Sequence, residues 1–498
     1  MISWIRFSEL ARAQWARWFC VLVLVGYGIF LGANHAPVAA GADSGGYLGS
    51  ARLLSQGKLV TTLRTVPEFA ARNVWMETPL GYEAEEGTTI LRPTYPVGLP
   101  IHYAIGGLIA GWHWGPLLVV VLSAVAAVVL CYLCARELDV SPVLAATGAA
   151  TLAVSPLFLY TSFIPMSDTV ATAWCAGAFL AAMRARRNWW YGLLCGMAFS
   201  VAVLVRPANV IMLPVLILVI WNWRNLWWAA LGGVPGALLN AVYNHFMYGG
   251  ALRSGYGPIF SVFERRFFSL SLTNYKETLP YALPIMFLGL VLLPWLPWRK
   301  WPREYCACIL WALIFFVFYA FYEFTSQTWW FLRFLLPAFP ALVLLGVAGL
   351  DAVLNRLPAF VRNFGRIVAG LLVVGGSIKG CVEVARERHF MLLKEYQEPY
   401  VAVTAWAQQN LPSGSLIAVM QLSSSFYYYT DLPILRWDMV DPPDAAKLAV
   451  ALRQSGRPLY AALFPFEYDD VRIQRLPGEW RKVIEVKGVT IWQITLRP

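Results

Sequence analysis

The sequence predicts a polytopic α-helical membrane protein of about eleven transmembrane helices, with interfacial helices in the first outer loop and a small C-terminal α/β domain. Three observations carry this. Hydrophobic residues make up 59% of the 498-residue chain and charged residues 13%, with a mean hydropathy of +0.57, far from a soluble profile. Apolar runs recur at lengths near the ~17–25 residues that cross a ~30 Å hydrocarbon core. The 23 Trp and 23 Tyr gather at the ends of these runs, as in Trp189-Trp190, Trp227-Trp228 and Trp329-Trp330, where amphipathic rings favour the headgroup layer.

In chain order the runs lie near 14–34, 114–135, 142–160, 169–183, 189–205, 208–222, 226–246, 279–297, 305–322, 334–352 and 365–382. The first is long and lacks a small-residue cleavage site before a soluble domain, so it reads as a signal anchor. One further run, 97–112, would span only ~24 Å as a helix and carries His102 and a Gly pair. The positive-inside rule arbitrates. If 97–112 does not cross, one side collects Arg6, Arg12, Arg17, Arg136, Arg184, Arg186, Arg187, Arg224, Arg299, Lys300, Arg303, Arg356, Arg362 and Arg366. The opposite short loops then hold only Arg206, Arg253, Arg265, Arg266, Lys276 and Arg333. The run 97–112 is therefore predicted to lie in the outer interface, with the N-terminus cytoplasmic and the tail extracytoplasmic. This parity puts Asp43, Asp168, Arg206, the 247–278 loop and Arg333 on one face.

The chain divides at about residue 384, into a membrane region 1–384 that includes the outer loop 35–113, and an extracytoplasmic domain 385–498. In the tail, EPYVAVTAWAQQNLP reads as an amphipathic helix closed by Pro412. SLIAVM, ILRWDM, PLYAALF, WRKVIEV and TIWQITL read as short strands, with DAAKLAVALRQSG as a helix among them. All eight cysteines fall in or beside apolar spans, so neither polar region is disulfide-stapled. Cys131/Cys134 and Cys306/Cys308 lack the partners of a zinc site and read as packing residues. The formal charge of +11 sits in short loops between spans, which argues against a nucleic-acid partner. No P-loop, GxSxG or dinucleotide fingerprint is present, and no cofactor or metal is predicted.

Two carboxylates stand out. Asp43, in HAPVAAGADSGGYLGSARLLSQGK, is either the N-cap of the following helix or a catalytic base; Gly57 would end that helix as a C′ residue. Asp168, in SPLFLYTSFIPMSDTVATAW, or its neighbour Ser167, suits an N-cap, yet an ionisable group at the mouth of a membrane bundle is a site candidate. Arg206 and Arg333, each near a proline at the outer end of a span, either snorkel to lipid phosphates or clamp a phosphate on a lipid-linked substrate. Arg92 and Lys58 are weaker candidates of the same kind, and His102 and His245 read as packing or interfacial residues.

These residues resemble the GT-C membrane glycosyltransferases that use polyprenyl-phosphate sugars, near the protein O-mannosyltransferase and aminoarabinose transferase branch. ADSGGYLGSARLLSQGK is similar to that family's first-loop motif, and RPTYPVGLPIHYAIGGLIAGW to its lead into an interfacial helix. SPLFLYTSFIPMSD, VLVRPANVIMLP, YGGALRSGYG and FLRFLLPAFPALVLLG have counterparts in such sequences. The resemblance implies inverting transfer on the outer face of a bacterial inner membrane. Asp43 and Asp168 become the catalytic carboxylates, with Asp43 as general base. Tyr47, Lys58, Arg92, Arg206, Tyr256 and Arg333 become substrate-binding residues. The implied partners are a polyprenyl-phosphate-linked sugar, a lipid, glycan or protein acceptor, and membrane lipids. One departure is that Ser44 follows Asp43 where protein mannosyltransferases carry Asp-Glu, so an acceptor Ser or Thr on protein is not implied. A transporter or flippase is the alternative; it predicts repeated halves and ionisable groups at mid-bilayer, neither of which the sequence shows. A non-catalytic envelope scaffold leaves the three charged positions on one face unexplained.

Overall fold

The structure is a computed structural model and describes residues 2–69, 73–257, 262–469, 471 and 475–497, with side chains of the first helix described from Trp18 onward. Arg6, Arg12 and Arg17 of the predicted inner side therefore lie outside the described side chains, and 70–72 and 258–261 of the predicted outer loops lie outside the described residues.

Helix α1 (Ile2–Asn34) leads into α2 (Gly41–Ser55) and a small antiparallel sheet of β1 (Thr61–Thr62), β2 (Tyr82–Ala84) and β3 (Ile90–Pro93), in the order β1-β3-β2. Next come α3 (Gly98–Glu137), α4 (Pro142–Ala153), α5 (Pro156–Ser162), α6 (Ser167–Arg184), α7 (Trp190–Val205), α8 (Leu213–Ile220) and α9 (Trp223–Tyr248). Then follow α10 (Phe267–Ala282), α11 (Ile285–Val291), α12 (Pro302–Ala320), α13 (Phe339–Leu354) and α14 (Ala359–Arg388). Among the described residues, four helical stretches are long and apolar enough to cross a membrane: α3, α12, Trp329–Leu354 and α14. The pair α4 and α5, bent by 59°, makes a fifth. The other predicted spans fall on shorter, less apolar or interrupted helices, so length and composition alone give fewer than eleven. Proline explains several interruptions, since it removes a backbone donor and clashes with the preceding turn. Pro156 separates α4 from α5, Pro284 precedes α11, and a 3₁₀ turn from Pro207 precedes α8.

The run 97–112 is not a separate element but the first arm of α3. The helix reverses at Gly111, whose φ of 76° and ψ of 165° are open to glycine and poorly tolerated by other residues. A Cβ on Gly106 would lie 2.8 Å from the Gly115 carbonyl oxygen. Nine residues of straight helix would hold those positions ~13 Å apart. The arm 98–110 thus folds back on its successor.

Beyond α14 lie α15 (Leu393–Asn410), β4 (Leu416–Val419), α16 (Ser423–Tyr429), β5 (Ile434–Arg436), α17 (Pro442–Ser455), β6 (Leu459–Leu463), β7 (Gly478–Val486) and β8 (Val489–Leu496). The strands form one sheet in the order β5-β4-β6-β8-β7, parallel among β5, β4 and β6 and antiparallel beyond. Its apolar underside is not closed by the tail alone. Val66 and Met76 of the first loop pack in the same cluster as Leu416, Leu435 and Trp437.

Candidate active site

Both candidate carboxylates sit in the first turn of a helix, where the helix dipole favours negative charge. Neither caps its helix. The residue before α2 is Ala40 and the residue before α6 is Met166, and no side chain caps either end. The N-cap readings of Asp43, Ser167 and Asp168 are therefore corrected: each aspartate lies inside the first turn and turns its carboxylate to partners from elsewhere. The expected end of α2 holds. Gly57 has φ +70°, and the N–H groups of Gly57 and Lys58 donate to Leu54 and Leu53 carbonyls, the Schellman pattern.

One Asp43 oxygen accepts a hydrogen bond from the Tyr95 hydroxyl at 2.6 Å, and the other accepts from the Arg333 guanidinium. Asp168 accepts from Arg206, and its second oxygen lies 3.7 Å from Arg333 Nε. The four side chains thus form one chain of alternating charge, Asp43–Arg333–Asp168–Arg206, with formal charges that cancel. Exposure separates the two acids: the Asp168 side chain is 2% exposed and that of Asp43 is 29% exposed. Arg333 is 7% exposed and Arg206 14%. Asp168 holds two buried guanidinium groups, while Asp43 is the acid that a substrate can reach.

The local fold explains how the arginines arrive. Arg206 sits where α7 stops, because Pro207 cannot continue the helix. Arg333 lies within a buried 3₁₀ run, Trp329–Ala338. Both guanidinium groups stack on the Phe334 ring, at 4.4 Å and 5.3 Å from its centroid, an arrangement suited to the planar, weakly hydrated guanidinium.

Three tyrosines line the Asp43 side. Tyr47, four residues on along α2, donates to Ser167 Oγ at 3.1 Å and so ties α2 to α6. Its ring lies 4.5 Å from Tyr95, and Tyr256 meets Tyr95 edge-on at 6.0 Å. Burial and the neighbouring Asp43 carboxylate push the Tyr95 hydroxyl well above its ordinary range, so it stays a proton donor. Gly46 leaves the space that the Tyr95 ring occupies against α2.

Six of the eight sequence candidates therefore meet: Asp43, Tyr47, Asp168, Arg206, Tyr256 and Arg333. Two do not. Lys58 is exposed beyond the end of α2, and Arg92 on β3 pairs with Glu85 at 2.7 Å. The sequence reading does not single out Tyr95, although it stands in the segment RPTYPVGL. Its signal is an aromatic fixed between two prolines, which limits where that backbone can go. Among the described residues, no group of three His, Cys, Asp or Glu side chains is placed to hold a metal ion.

Residues 101–243 match the family model described as dolichyl-phosphate-mannose-protein mannosyltransferase. No curated protein sequence matches the chain. Solved structures do. ArnT from Cupriavidus metallidurans, determined bound to undecaprenyl phosphate, superposes with a TM-score of 0.58 at 16% identity, covering 96% of this chain and 98% of that one. The Archaeoglobus fulgidus oligosaccharyltransferase tethered to an acceptor peptide gives a TM-score of 0.55 at 12% identity, covering 96% and 74%. The arabinofuranosyltransferase AftD from Mycobacteria gives 0.50 at 14%, covering 91% of this chain and 40% of that one. The family model and the motif resemblance point the same way, and over most of its length the chain has a fold similar to these three glycosyl-transfer proteins.

Proposed function

We propose that this protein transfers a sugar, with inversion, from a polyprenyl-phosphate donor to an acceptor hydroxyl on the extracytoplasmic face of a bacterial inner membrane. The observation that supports it best is one accessible carboxylate, Asp43, beside two buried guanidinium groups held by a second, inaccessible carboxylate. In this reading the acceptor hydroxyl binds at Asp43, within the ~2.6–3.2 Å that general-base catalysis requires. Asp43 takes the hydroxyl proton as the oxygen attacks the anomeric carbon. The bond from that carbon to the phosphate oxygen breaks on the opposite face, and the lipid phosphate departs with the electron pair. Arg206 and Arg333 meet its charge, the pre-set electrostatic stabilisation that leaving phosphates need. Asp168 positions both arginines and touches no substrate.

The charge chain adds an order of events. A phosphate entering a group of formally balanced charges competes for Arg333 with Asp43. Donor binding then frees an Asp43 oxygen for the acceptor, so the base is available only once the donor is seated. An eleven-span topology with a cytoplasmic N-terminus, and the division into 1–384 and 385–498, belong to the same proposal. They agree with the fourteen-to-six distribution of basic residues. Purified wild-type protein and Asp43→Asn, assayed for sugar release from a panel of polyprenyl-phosphate donors with envelope extract as acceptor, test the reading. Equal activity in the two proteins removes Asp43 from its role. Inactive wild type across the panel, with movement of lipid-linked sugar across vesicles, replaces transfer by transport.

A further inference from the structure

Helix α2 is held on two faces. Asp43 and Gly45 are two residues apart, so ~200° of helical rotation separates them. Asp43 faces Arg333 and Tyr95; Gly41 and Gly45 face the outer domain. There α16 docks against them. Ser424 Oγ donates to the Gly41 carbonyl at 2.5 Å, and Ser425 Oγ donates to the Ala39 carbonyl at 2.6 Å. The Ala39 N–H donates to the Tyr429 hydroxyl at 3.0 Å. These bonds grip the backbone on both sides of Ala40, the entry to α2. The grip is close: a Cβ on Gly45 would lie 2.5 Å from Ser424 Oγ and 2.6 Å from Ser424 Cβ. The element doing this follows β4, at the carboxyl end of the parallel strands, the edge where open α/β sheets commonly hold ligands.

We propose that α16 is a positioning clamp for the catalytic helix: Ser424, seated against Gly45, sets the distance of Asp43 from Arg333 and from the acceptor hydroxyl. This rests on the proposed transfer reaction for the role of Asp43, but the clamp itself is a statement about α2. A methyl group at Gly45 moves α2 by about 1 Å towards the site, since ordinary contact lies near 3.4–4 Å. A ~1 Å misplacement of a catalytic group costs up to ~10²-fold in rate. Removing the Ser424 side chain gives the methyl group room.

The test uses the full chain in lipid nanodiscs, comparing Gly45→Ala, Gly45→Ala with Ser424→Gly, and Ser424→Ala. Gly45→Ala is expected to lower kcat by ~10-fold or more, with donor KM rising as well where Asp43 moves closer to Arg333 and competes harder with the donor phosphate. The added Ser424→Gly change should return kcat to within ~3-fold of wild type. Ser424→Ala, which keeps the shape and removes one hydrogen bond, should cost ~3-fold and hasten amide exchange at the start of α2 alone. Wild-type kcat in Gly45→Ala, or a loss that Ser424→Gly leaves uncorrected, overturns the clamp. If Gly45→Ala does not accumulate, the double variant and Ser424→Ala decide: unchanged kcat and unchanged exchange in Ser424→Ala overturn it. Should wild type transfer no sugar from any donor, the reaction falls, and the amide-exchange pattern still decides the clamp.

Discussion

Helices α2 and α6 start alike: each places an aspartate in its first turn and faces it towards an arginine. Their surroundings differ. The first turns of α6 are wrapped by the bundle, with Ser167, Asp168, Thr169 and Val170 all buried. Helix α2 lies between the bundle and the C-terminal sheet region, and its glycines admit side chains from several elements: Ser424 at Gly45, Tyr95 at Gly46 and Tyr82 at Gly49. The same local motif therefore yields a buried acid in one place and a partly exposed acid in the other. Burial, not residue type, separates the two roles.

The largest expected effect breaks the comparison at its accessible end. Asp43→Asn should lower the transfer rate by ~10²–10⁴-fold, the range for loss of a general base, and cost less stability than Asp168→Asn because Asp43 is the partly exposed partner of a single arginine. At the fixed end the order reverses. Asp168→Asn leaves Arg206 and Arg333 short of their buried counter-charge, so unfolding stability should fall by about 3–5 kcal/mol, read as a lowered denaturation midpoint in detergent. A larger stability loss from Asp43→Asn than from Asp168→Asn would invert the assignment. Arg333→Lys keeps the charge but loses the guanidinium fork and its stacking on Phe334; donor KM should rise ~10-fold or more in a steady-state assay.

A smaller effect sharpens the difference through pH. Glu77, buried in the first loop, accepts a hydrogen bond from the Val66 N–H at 3.3 Å, beneath the sheet that supports α16. Burial lifts its carboxyl from 4.5 to about 7. A raised carboxyl pKa means that the fold holds the proton longer than the unfolded chain does. Its contribution is complete below pH ~4.5 and is lost as pH rises to about 7, a change on the order of 3 kcal/mol. Glu77→Gln should flatten the stability profile between those limits, and hydrogen exchange should locate the wild-type slope in the outer loop and α2, not in α6. The smallest effect is expected from Lys58→Ala: exposed past the end of α2, it should change donor KM less than ~2-fold.

Much of this architecture was legible before any coordinates. The tail strands are readable because short β-branched and aromatic runs are bounded by Pro, Gly and Asp. The candidate site was legible in part. Charged residues at the mouth of an apolar bundle are few, so Asp43, Asp168, Arg206 and Arg333 stood out by scarcity. Lys58 and Arg92 satisfied the same rule and went elsewhere, because a positive charge in a polar loop has many places to go. Between the cap and the base readings the sequence leaves the choice open, because it turns on register: α2 begins at Gly41 and α6 at Ser167, so neither aspartate stands at an N-cap.

What the sequence determined by itself is the part written in local pattern: apolar runs, proline breaks, the Gly57 helix end and the strands of the tail. Each follows from a few neighbouring residues acting over one or two turns. What only the tertiary structure decided is pairing and depth. It joined Asp43 to Arg333 across 290 positions, set Asp168 beneath both arginines, and brought Ser424 against Gly45. Those contacts depend on how separate elements pack, and close packing and desolvation have no short-range signature in the chain.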